Sequence, residues 1–360
     1  MTADTHNEGT MERVVLAARP EGAPKPTDFR HETAPMPAAG DGEFLVRVIW
    51  LSLDPYMRGR MDDSKSYAAS VQVGDAMEGG AVGEVIASNH AGFSVGSFVE
   101  GRFGWQSHAV SDGEGVRVLD PAIAPISTAV GVLGMPGLTA YVGFNTHGRP
   151  KAGETLVVGA ATGAVGSLVG QLAKAQGLRV VGVAGGADKC AFAVDQLGFD
   201  ACVDHRAAED ARALRTQIAT HCPNGVDIYF ENVGGKTLEA IIPLMNVFGR
   251  MPVCGMISWY NANVLGSGGS FDGPDLLPKA WRTILVNRLS VRGFIIFDHY
   301  DQYPQFLSDV APMIKDGTVH YRETVAEGLA AAPDAFINML KGGNFGKQLV
   351  AVSPDPTRGG

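Results

Sequence analysis

"VVGAATGAVGS", residues 157–167, decides how the rest of the chain is read. Val157–Val158 read as the end of a strand and Ser167 as the start of a helix, with Gly159, Gly163 and Gly166 in the turn between. Gly163 lets a phosphate approach the backbone closely, and Gly166 lets the helix pack tightly on the strand. The helix start offers free N–H groups and a positive dipole end to a pyrophosphate. Position 161 is alanine where the G-x-G-x-x-G fingerprint has its first glycine; the residue stays small. A glycine triplet alone also fits a ligand-free strand–helix turn. Its place on the first strand of a regular series is what favours a dinucleotide.

That series runs outward from the turn. Apolar, β-rich runs begin near Thr155, Arg179, Ala201, Val226 and Gly249, with helix-like stretches such as "SLVGQLAKAQG" and "DKCAFAVDQLG" between them. A strand and helix roughly every 22 to 25 residues marks an α/β fold, a Rossmann doubly wound parallel sheet. A sixth strand, "LSVRGFIIF" (289–297), follows an insertion over 258–288 that contains "GSGGSFDG" (266–273). So glycine-rich a stretch reads as a long loop, either plain surface or a lid.

Upstream, from Arg13 to Pro125, short apolar runs are broken by Gly and Pro: "FLVRVIWLSL" (44–53), "GGAVGEVIAS" (79–88) and "SFVEGRF" (97–103). These read as an all-β unit, a small barrel. The tail "YRETVAEGL…PDAFINMLKGGNFGKQLVAV" gives a strand, a helix opened by Pro333 and stopped by Gly342–Gly343, and a last strand. Those strands suit the first sheet. The expected division is 1–133 with 301–360 as the β domain and 134–300 as the nucleotide domain.

Composition excludes several classes. A net charge of −9 with 19% charged residues leaves no basic footprint for nucleic acid. The four cysteines, Cys190, Cys202, Cys222 and Cys254, form no C-x-x-C pair, and no secretory signal precedes them; a reduced, cytoplasmic setting is expected. No cysteine cluster or H-E-x-x-H suggests a metal. The uncharged run Thr155–Ala173 is long enough to span a bilayer, yet its glycines and polar residues read as strand, turn and helix.

The second strand selects the dinucleotide. NAD sites carry an acid at its end to hold the ribose hydroxyls. Here "RVVGVAGG" ends in Ala184, Gly185 and Gly186, Lys189 follows within a turn, and Arg206 lies just past the third strand. An open glycine corner with cations nearby suits a 2′-phosphate, hence NADPH/NADP+. Asp188 is the complication, because its carboxylate turned toward the ribose would favour NAD.

At this point the chain resembles a known family. "LSLDPYMRGRM" (51–61), "GVLGMPGLTAY" (131–141), "AATGAVGSLVGQLAK" (160–174), "FENVGG" (230–235), "CGMIS" (254–258) and "GGNFGK" (342–347) occur in this order. Together they resemble the zinc-independent medium-chain dehydrogenase/reductases of the leukotriene B4 dehydrogenase, prostaglandin reductase, 2-alkenal reductase and curcumin reductase group. The match spans about Arg13 to Val352. It implies a GroES-like, partly open β-barrel domain and a Rossmann domain. It also implies NADPH-dependent reduction of the C=C bond of an apolar α,β-unsaturated aldehyde or ketone. Homodimers are implied too, formed through the Rossmann edge strand, here Leu289–Phe297.

The resemblance carries over residue by residue. Thr162, Gly163, Ala164 and Val165 match the pyrophosphate turn, and Lys189 matches the lysine on the 2′-phosphate. His205 stands where a tyrosine near that phosphate is usual. Asn232 matches an asparagine near the nicotinamide ribose. Cys254, Gly255, Met256 and Ile257 match the stretch beside the cofactor. Phe294, Ile295 and Ile296 match the backbone near the carboxamide, and Asn344 a contact from the C-terminal segment. Trp259 departs from the family's usual glutamine and reads equally as packing under the glycine-rich loop or as a substrate wall.

Hydride addition to the β-carbon of an enone pushes charge onto the carbonyl oxygen, so the site needs hydrogen-bond donors there. Tyr260 and Tyr56 are the candidate catalytic donors. Arg58 and Arg60 read as structural or solvated, with attraction of an anionic substrate tail as the other option. The uncharged run Pro121–Gly148 suits an apolar interdomain cleft. Rival readings are an NADPH quinone reductase and a non-catalytic NADPH-binding protein. A short-chain dehydrogenase is rejected, because no tyrosine is followed four residues later by lysine.

Overall fold

The computed structural model describes residues 9–64, 66–262 and 277–358. It divides into two compact units: 1–130 with 324–344 and 348–360, and 131–323 with 345–347.

The first unit is built on antiparallel strands. β1 (Thr10–Leu16) and β2 (Phe29–Pro35) form a two-stranded ribbon. β3 (Phe44–Ser52), β4 (Ala81–Ser88), β5 (Phe98–Gly101), β6 (His108–Ser111) and β7 (Arg117–Leu119) build the larger sheet. β3 pairs with β4 on one side and β6 on the other end of its length, so eight of its nine residues are buried. A strand buried on both faces reads as an unbroken apolar run, which is why "FLVRVIWLS" shows no alternation. Gly83 permits the tight β3–β4 approach, since a Cβ there would lie 2.5 Å from the Arg47 carbonyl oxygen. After β3 the chain makes the short helix α1 (Met57–Arg60), entered at Tyr56.

The second unit begins with α2 (Met135–Val142) and continues as a strand–helix series. It comprises β8 (Thr155–Gly159), α3 (Gly166–Ala175), β9 (Arg179–Ala184), α4 (Ala187–Asp195), β10 (Ala201–Asp204), α5 (Ala211–His221) and β11 (Val226–Phe230). Then come α6 (Gly235–Ile241), β12 (Met245–Val253), α7 (Leu277–Asn287), β13 (Ser290–Gly293) and α8 (Tyr303–Lys315). The parallel sheet runs β10-β9-β8-β11-β12-β13. Numbered within the unit this is the 3-2-1-4-5-6 order, whose direction reverses between β8 and β11. The uncharged run Thr155–Ala173 is thus β8, a turn and most of α3, and no helix among the described residues is long and apolar enough to cross a membrane.

The chain returns to the first unit through β14 (Glu323–Glu327), α9 (Ala332–Leu340) and β15 (Lys347–Ala351). β15 pairs antiparallel with β3, in the register Val350 to Leu51. Phe336 of α9 closes the core by meeting Phe29 and Trp105 edge-on, while those two rings stack 5.6 Å apart. Each such ring taken from water contributes on the order of 2–3 kcal/mol.

Three sequence expectations need correction. Residues 301–323, grouped above with the β domain, belong to the second unit. Tyr303 there donates its hydroxyl to the Leu133 carbonyl, and Gln171 holds both backbone groups of His320. The 258–288 insertion is not all loop: 277–287 is helical, and the lid reading of 266–273 lies outside the described residues. The sixth strand stops at Gly293, and the chain turns into 3-10 geometry from Ile296.

Candidate active site

The sites picked from sequence in the second unit all follow the carboxyl ends of its parallel strands. Thr162 follows β8, Lys189 β9, His205 β10, Asn232 β11, Cys254 β12 and Phe294 β13. In open α/β sheets this is the edge at which ligands bind, centred where strand order reverses.

The glycine turn itself works differently from the sequence reading. The residue forced into left-handed backbone is Ala160, with φ of 51°, while Ala161 is fully buried against Gly182. Gly163 donates its N–H to the Ala160 carbonyl at 2.9 Å. A Cβ on Gly166 would lie 2.4 Å from that same oxygen, so Gly166 packs on the turn and not on the strand. Close helix packing is the task of Gly170, where a Cβ would lie 1.9 Å from Phe199. Thr162 is buried and Gly163 to Val165 are half-buried; in the first turn of α3 the Ser167 N–H is bonded to the Gly163 carbonyl at 3.0 Å and the Val169 N–H to the Val165 carbonyl at 3.1 Å.

The segment "GGNFGK" meets this turn through its backbone: Gly346 forms a parallel bridge with Gly163. Gly346 has φ of 78°, and a Cβ there would lie 2.0 Å from the Arg322 carbonyl oxygen, so only glycine fits. Its neighbour Phe345 carries the Arg322 guanidinium 4.0 Å above its ring and meets Phe192 edge-on at 4.9 Å. The Lys189 ammonium lies 6.0 Å from the same ring. Neither Phe345 nor Arg322 stood out in the sequence, because only the fold brings 322 and 345 to α4. Asn344, one residue upstream, groups with the first unit.

At the end of β9 the open corner is real. Gly186 has φ of 103°, and a Cβ on Gly185 would lie 2.8 Å from Arg206 Nε and 2.9 Å from His205 Nε2. The glycines therefore hold open a space edged by a guanidinium and an imidazole. Burial, then the nearby Arg206 charge, lower the Lys189 pKa. Burial first, then Lys236 and Arg206, lower that of His205. Mutually repelling cations around an open corner fit an anion. The acid closest to it, Asp204, accepts the N–H groups of Gly186 at 2.8 Å and Arg206 at 2.9 Å, so it shapes the corner. Asp188, the complication in sequence, is exposed in the first turn of α4. This donor set fits the 2′-phosphate of NADPH.

Past β11, Asn232 donates its amide to the Gly159 carbonyl at 2.9 Å and receives the Ile257 N–H on its own carbonyl. Glu231, buried beside it, accepts N–H groups from Val233 and Gly234 at 2.6 and 2.9 Å; burial raises its carboxyl pKa. Burial and the Glu231 charge push the Cys254 thiol up to about 12, so it stays protonated, and its backbone N–H is bonded to the Glu231 carbonyl at 2.9 Å. The Tyr260 hydroxyl lies over Gly255 and accepts the Met256 N–H at 3.5 Å. Trp259 packs on Gly234, where a Cβ would lie 2.8 Å from its ring. Phe294 turns its ring inward against Gly143 and His147, and the Ile295 carbonyl accepts the Asp298 N–H at 3.1 Å.

Tyr56 belongs to the first unit. Burial, then the Asp54 and Glu78 carboxylates, hold its phenol well above the ordinary range, so its hydroxyl stays protonated. Arg58 and Arg60 are buried and serve structure: Arg58 binds Asp62 and the Gly22 carbonyl, Arg60 binds Glu78 and the Ala68 carbonyl. Among the described residues no group of three His, Cys, Asp or Glu side chains is placed to hold a metal ion.

Known proteins share this arrangement. Residues 12–119 match a family profile described as the N-terminal domain of oxidoreductase, and residues 164–311 one described as zinc-binding dehydrogenase. The NADPH-dependent curcumin reductase of Escherichia coli (strain K12) is 48% identical over 344 residues, covering 95% of this chain and 97% of the relative. The NADP(+)-dependent 2-alkenal reductase of Nicotiana tabacum is 38% identical over 352 residues, covering 96% and 98%. The crystal structure of CurA in complex with NADPH from Vibrio vulnificus superposes with a TM-score of 0.89 at 49% identity, covering 96% of this chain and 100% of that one. The chain belongs to the zinc-independent medium-chain dehydrogenase/reductases, in the curcumin reductase, 2-alkenal reductase and prostaglandin reductase group.

Proposed function

We propose that this protein is an NADPH-dependent oxidoreductase that reduces the C=C bond of α,β-unsaturated aldehydes and ketones. The observation that carries the cofactor is the corner at Gly185–Gly186 edged by Lys189, His205 and Arg206. The relatives that reduce curcumin and 2-alkenals cover nearly the whole chain and support the substrate class.

NADPH, when bound, supplies a hydride to the β-carbon of the substrate. Thr162–Val165 and the start of α3 receive the pyrophosphate, and Lys189, His205 and Arg206 the 2′-phosphate. Asn232, Gly255–Ile257 and the 294–296 backbone orient the nicotinamide end. The Tyr260 hydroxyl donates to the substrate carbonyl as enolate charge develops. A donor placed in advance at that oxygen contributes about 3–4 kcal/mol in enzymes that use one.

The test follows NADPH consumption and product identity over a panel of alkenals, alkenones, curcuminoids and quinones. Saturated carbonyl products from the enones support the reading. Turnover of quinones alone, or NADPH binding without turnover, contradicts it. Tyr260→Phe lowers kcat if the hydroxyl stabilises the enolate; unchanged kcat removes it from the catalytic role.

The reading includes a homodimer through the sheet edge. All four β13 residues are exposed, as are Trp281 (63%) and Leu285 (77%) on the adjacent α7 and Phe248 (65%) on β12. An uncovered edge with apolar neighbours is a surface that a second copy completes. Four free thiols fit a reducing, cytoplasmic setting.

A further inference from the structure

One buried carboxylate ties together the segments assigned above to the nicotinamide end. Glu231 follows β11 directly and is 2% exposed. Its backbone carries the β11–β12 pairing past the end of β11. It forms a parallel bridge with Val253, donates its N–H to the Pro252 carbonyl at 2.9 Å, and accepts the N–H groups of Cys254 and Gly255 at 2.9 and 3.1 Å. Its side chain holds the other side of the turn, where Oε1 accepts the Val233 N–H at 2.6 Å and the Gly234 N–H at 2.9 Å. Asn232 is clamped between these ties, with its amide on the Gly159 carbonyl at 2.9 Å and its own carbonyl on the Ile257 N–H at 3.2 Å. The Val233 carbonyl takes the Ser258 N–H at 3.0 Å and the Ser258 hydroxyl at 2.6 Å.

A carboxyl group is costly to bury, and a fold that keeps one there uses its hydrogen bonds. The second oxygen, Oε2, has no backbone partner; it shares its face of the strand with the buried Tyr229 hydroxyl two positions back. An apolar side chain of similar size would fill the space with less desolvation but leave the Val233 and Gly234 N–H groups unpaired. What the acid adds is one oxygen on which two consecutive N–H groups converge, and that oxygen fixes the turn carrying Asn232.

We infer that Glu231 is a positioning residue for hydride transfer: its Oε1 sets Asn232 and, through the paired 254–258 segment, the place of the nicotinamide ring. The inference rests on the NADPH-dependent reading given above. The role requires an acceptor at this point and no negative charge. Glutamine supplies an amide oxygen at the same reach. Aspartate keeps the charge but withdraws the oxygen by one methylene, and leucine removes the acceptor. Without it the 232–234 turn and the 254–258 segment lose their common tie. A displacement of about 1 Å at a reacting centre lowers the rate on the order of a hundredfold. The cation corner follows a different strand, β9, so the phosphate end of the cofactor keeps its contacts.

The experiment compares wild type with Glu231→Gln, Glu231→Asp and Glu231→Leu, each well below its own Tm so that lost stability does not enter. It reads the single-turnover rate of hydride transfer from NADPH to an enone, the NADPH Kd, and the Kd of adenosine 2′,5′-bisphosphate, which carries the phosphate end and lacks the nicotinamide. Glu231→Leu is expected to transfer hydride roughly a hundredfold more slowly and Glu231→Asp roughly tenfold. Both keep the bisphosphate Kd, while the affinity that the nicotinamide half adds is reduced. Glu231→Gln keeps most of the rate and both Kd values. Where Glu231→Leu does not fold, the contrast between Glu231→Asp and Glu231→Gln decides. A wild-type rate in Glu231→Asp, an equal loss in Glu231→Gln, or a bisphosphate Kd that rises with the loss of rate overturns the proposal. A wild type that binds NADPH and reduces no enone contradicts the proposed function instead, and the ratio of the two Kd values then tests the positioning by itself: an unchanged ratio in Glu231→Asp overturns it.

Discussion

At the residue scale the account rests on which atoms a missing Cβ leaves room for. Gly185→Ala places a methyl against the ends of two mobile side chains, Arg206 and His205. The fold tolerates it, because those ends shift, but the cations leave the corner. NADPH Kd is expected to rise roughly tenfold, about 1.4 kcal/mol, with NADH affinity unchanged, as read by fluorescence titration. Equal losses for both cofactors would contradict the 2′-phosphate assignment. His205 adds a pH signature. Its pKa is lowered in the free protein, and a phosphate beside the ring favours the charged form, so binding takes up a proton. Affinity then declines as pH rises from the free-state pKa toward that of the complex. Titrations between about pH 5.5 and 8.5 isolate this as the difference between wild type and His205→Phe, since the phosphate's own titration is common to both. The cation-edged corner was legible in sequence because an acid-free strand end is a local feature. Phe345, Arg322 and the tasks of individual glycines were not, because each depends on a neighbour brought by the fold.

At the element scale the parallel strands were legible because strands buried on both faces are plain apolar runs between helical periods. β8 and β9 begin at the expected residues, Thr155 and Arg179. The helix at 277–287 was hidden because it adjoins a glycine-rich stretch and its amphipathic face is left exposed among the described residues. The placement of α8 was missed for a different reason: its partners, Leu133 and the end of α2, lie about 170 residues upstream. The close α3–β10 side of the sheet offers a packing test. Gly170→Ala drives a methyl into Phe199, an overpacking expected to cost about 1–3 kcal/mol. The urea midpoint of the second unit should fall accordingly, and Phe199→Leu added to Gly170→Ala should recover part of the loss. A midpoint unmoved by Gly170→Ala would mean that α3 has slack against the sheet.

At the scale of the whole molecule the sequence order of motifs was enough to give the α/β class, the returning tail and the family, and the relatives cover nearly the full chain. The dimer is a proposal that solution mass tests directly. Val291→Lys on the exposed edge strand is expected to convert a dimer into a monomer in light scattering, with NADPH affinity retained. An unchanged dimer would move the interface elsewhere. The central claim concerns where the hydride goes. The most direct measurement gives the enzyme an enone and NADPH deuterated at nicotinamide carbon 4, then locates deuterium in the product by NMR. The account predicts a saturated ketone carrying one deuterium on the former β-carbon. Deuterium on the carbonyl carbon of an allylic alcohol, or none transferred to carbon at all, would contradict it.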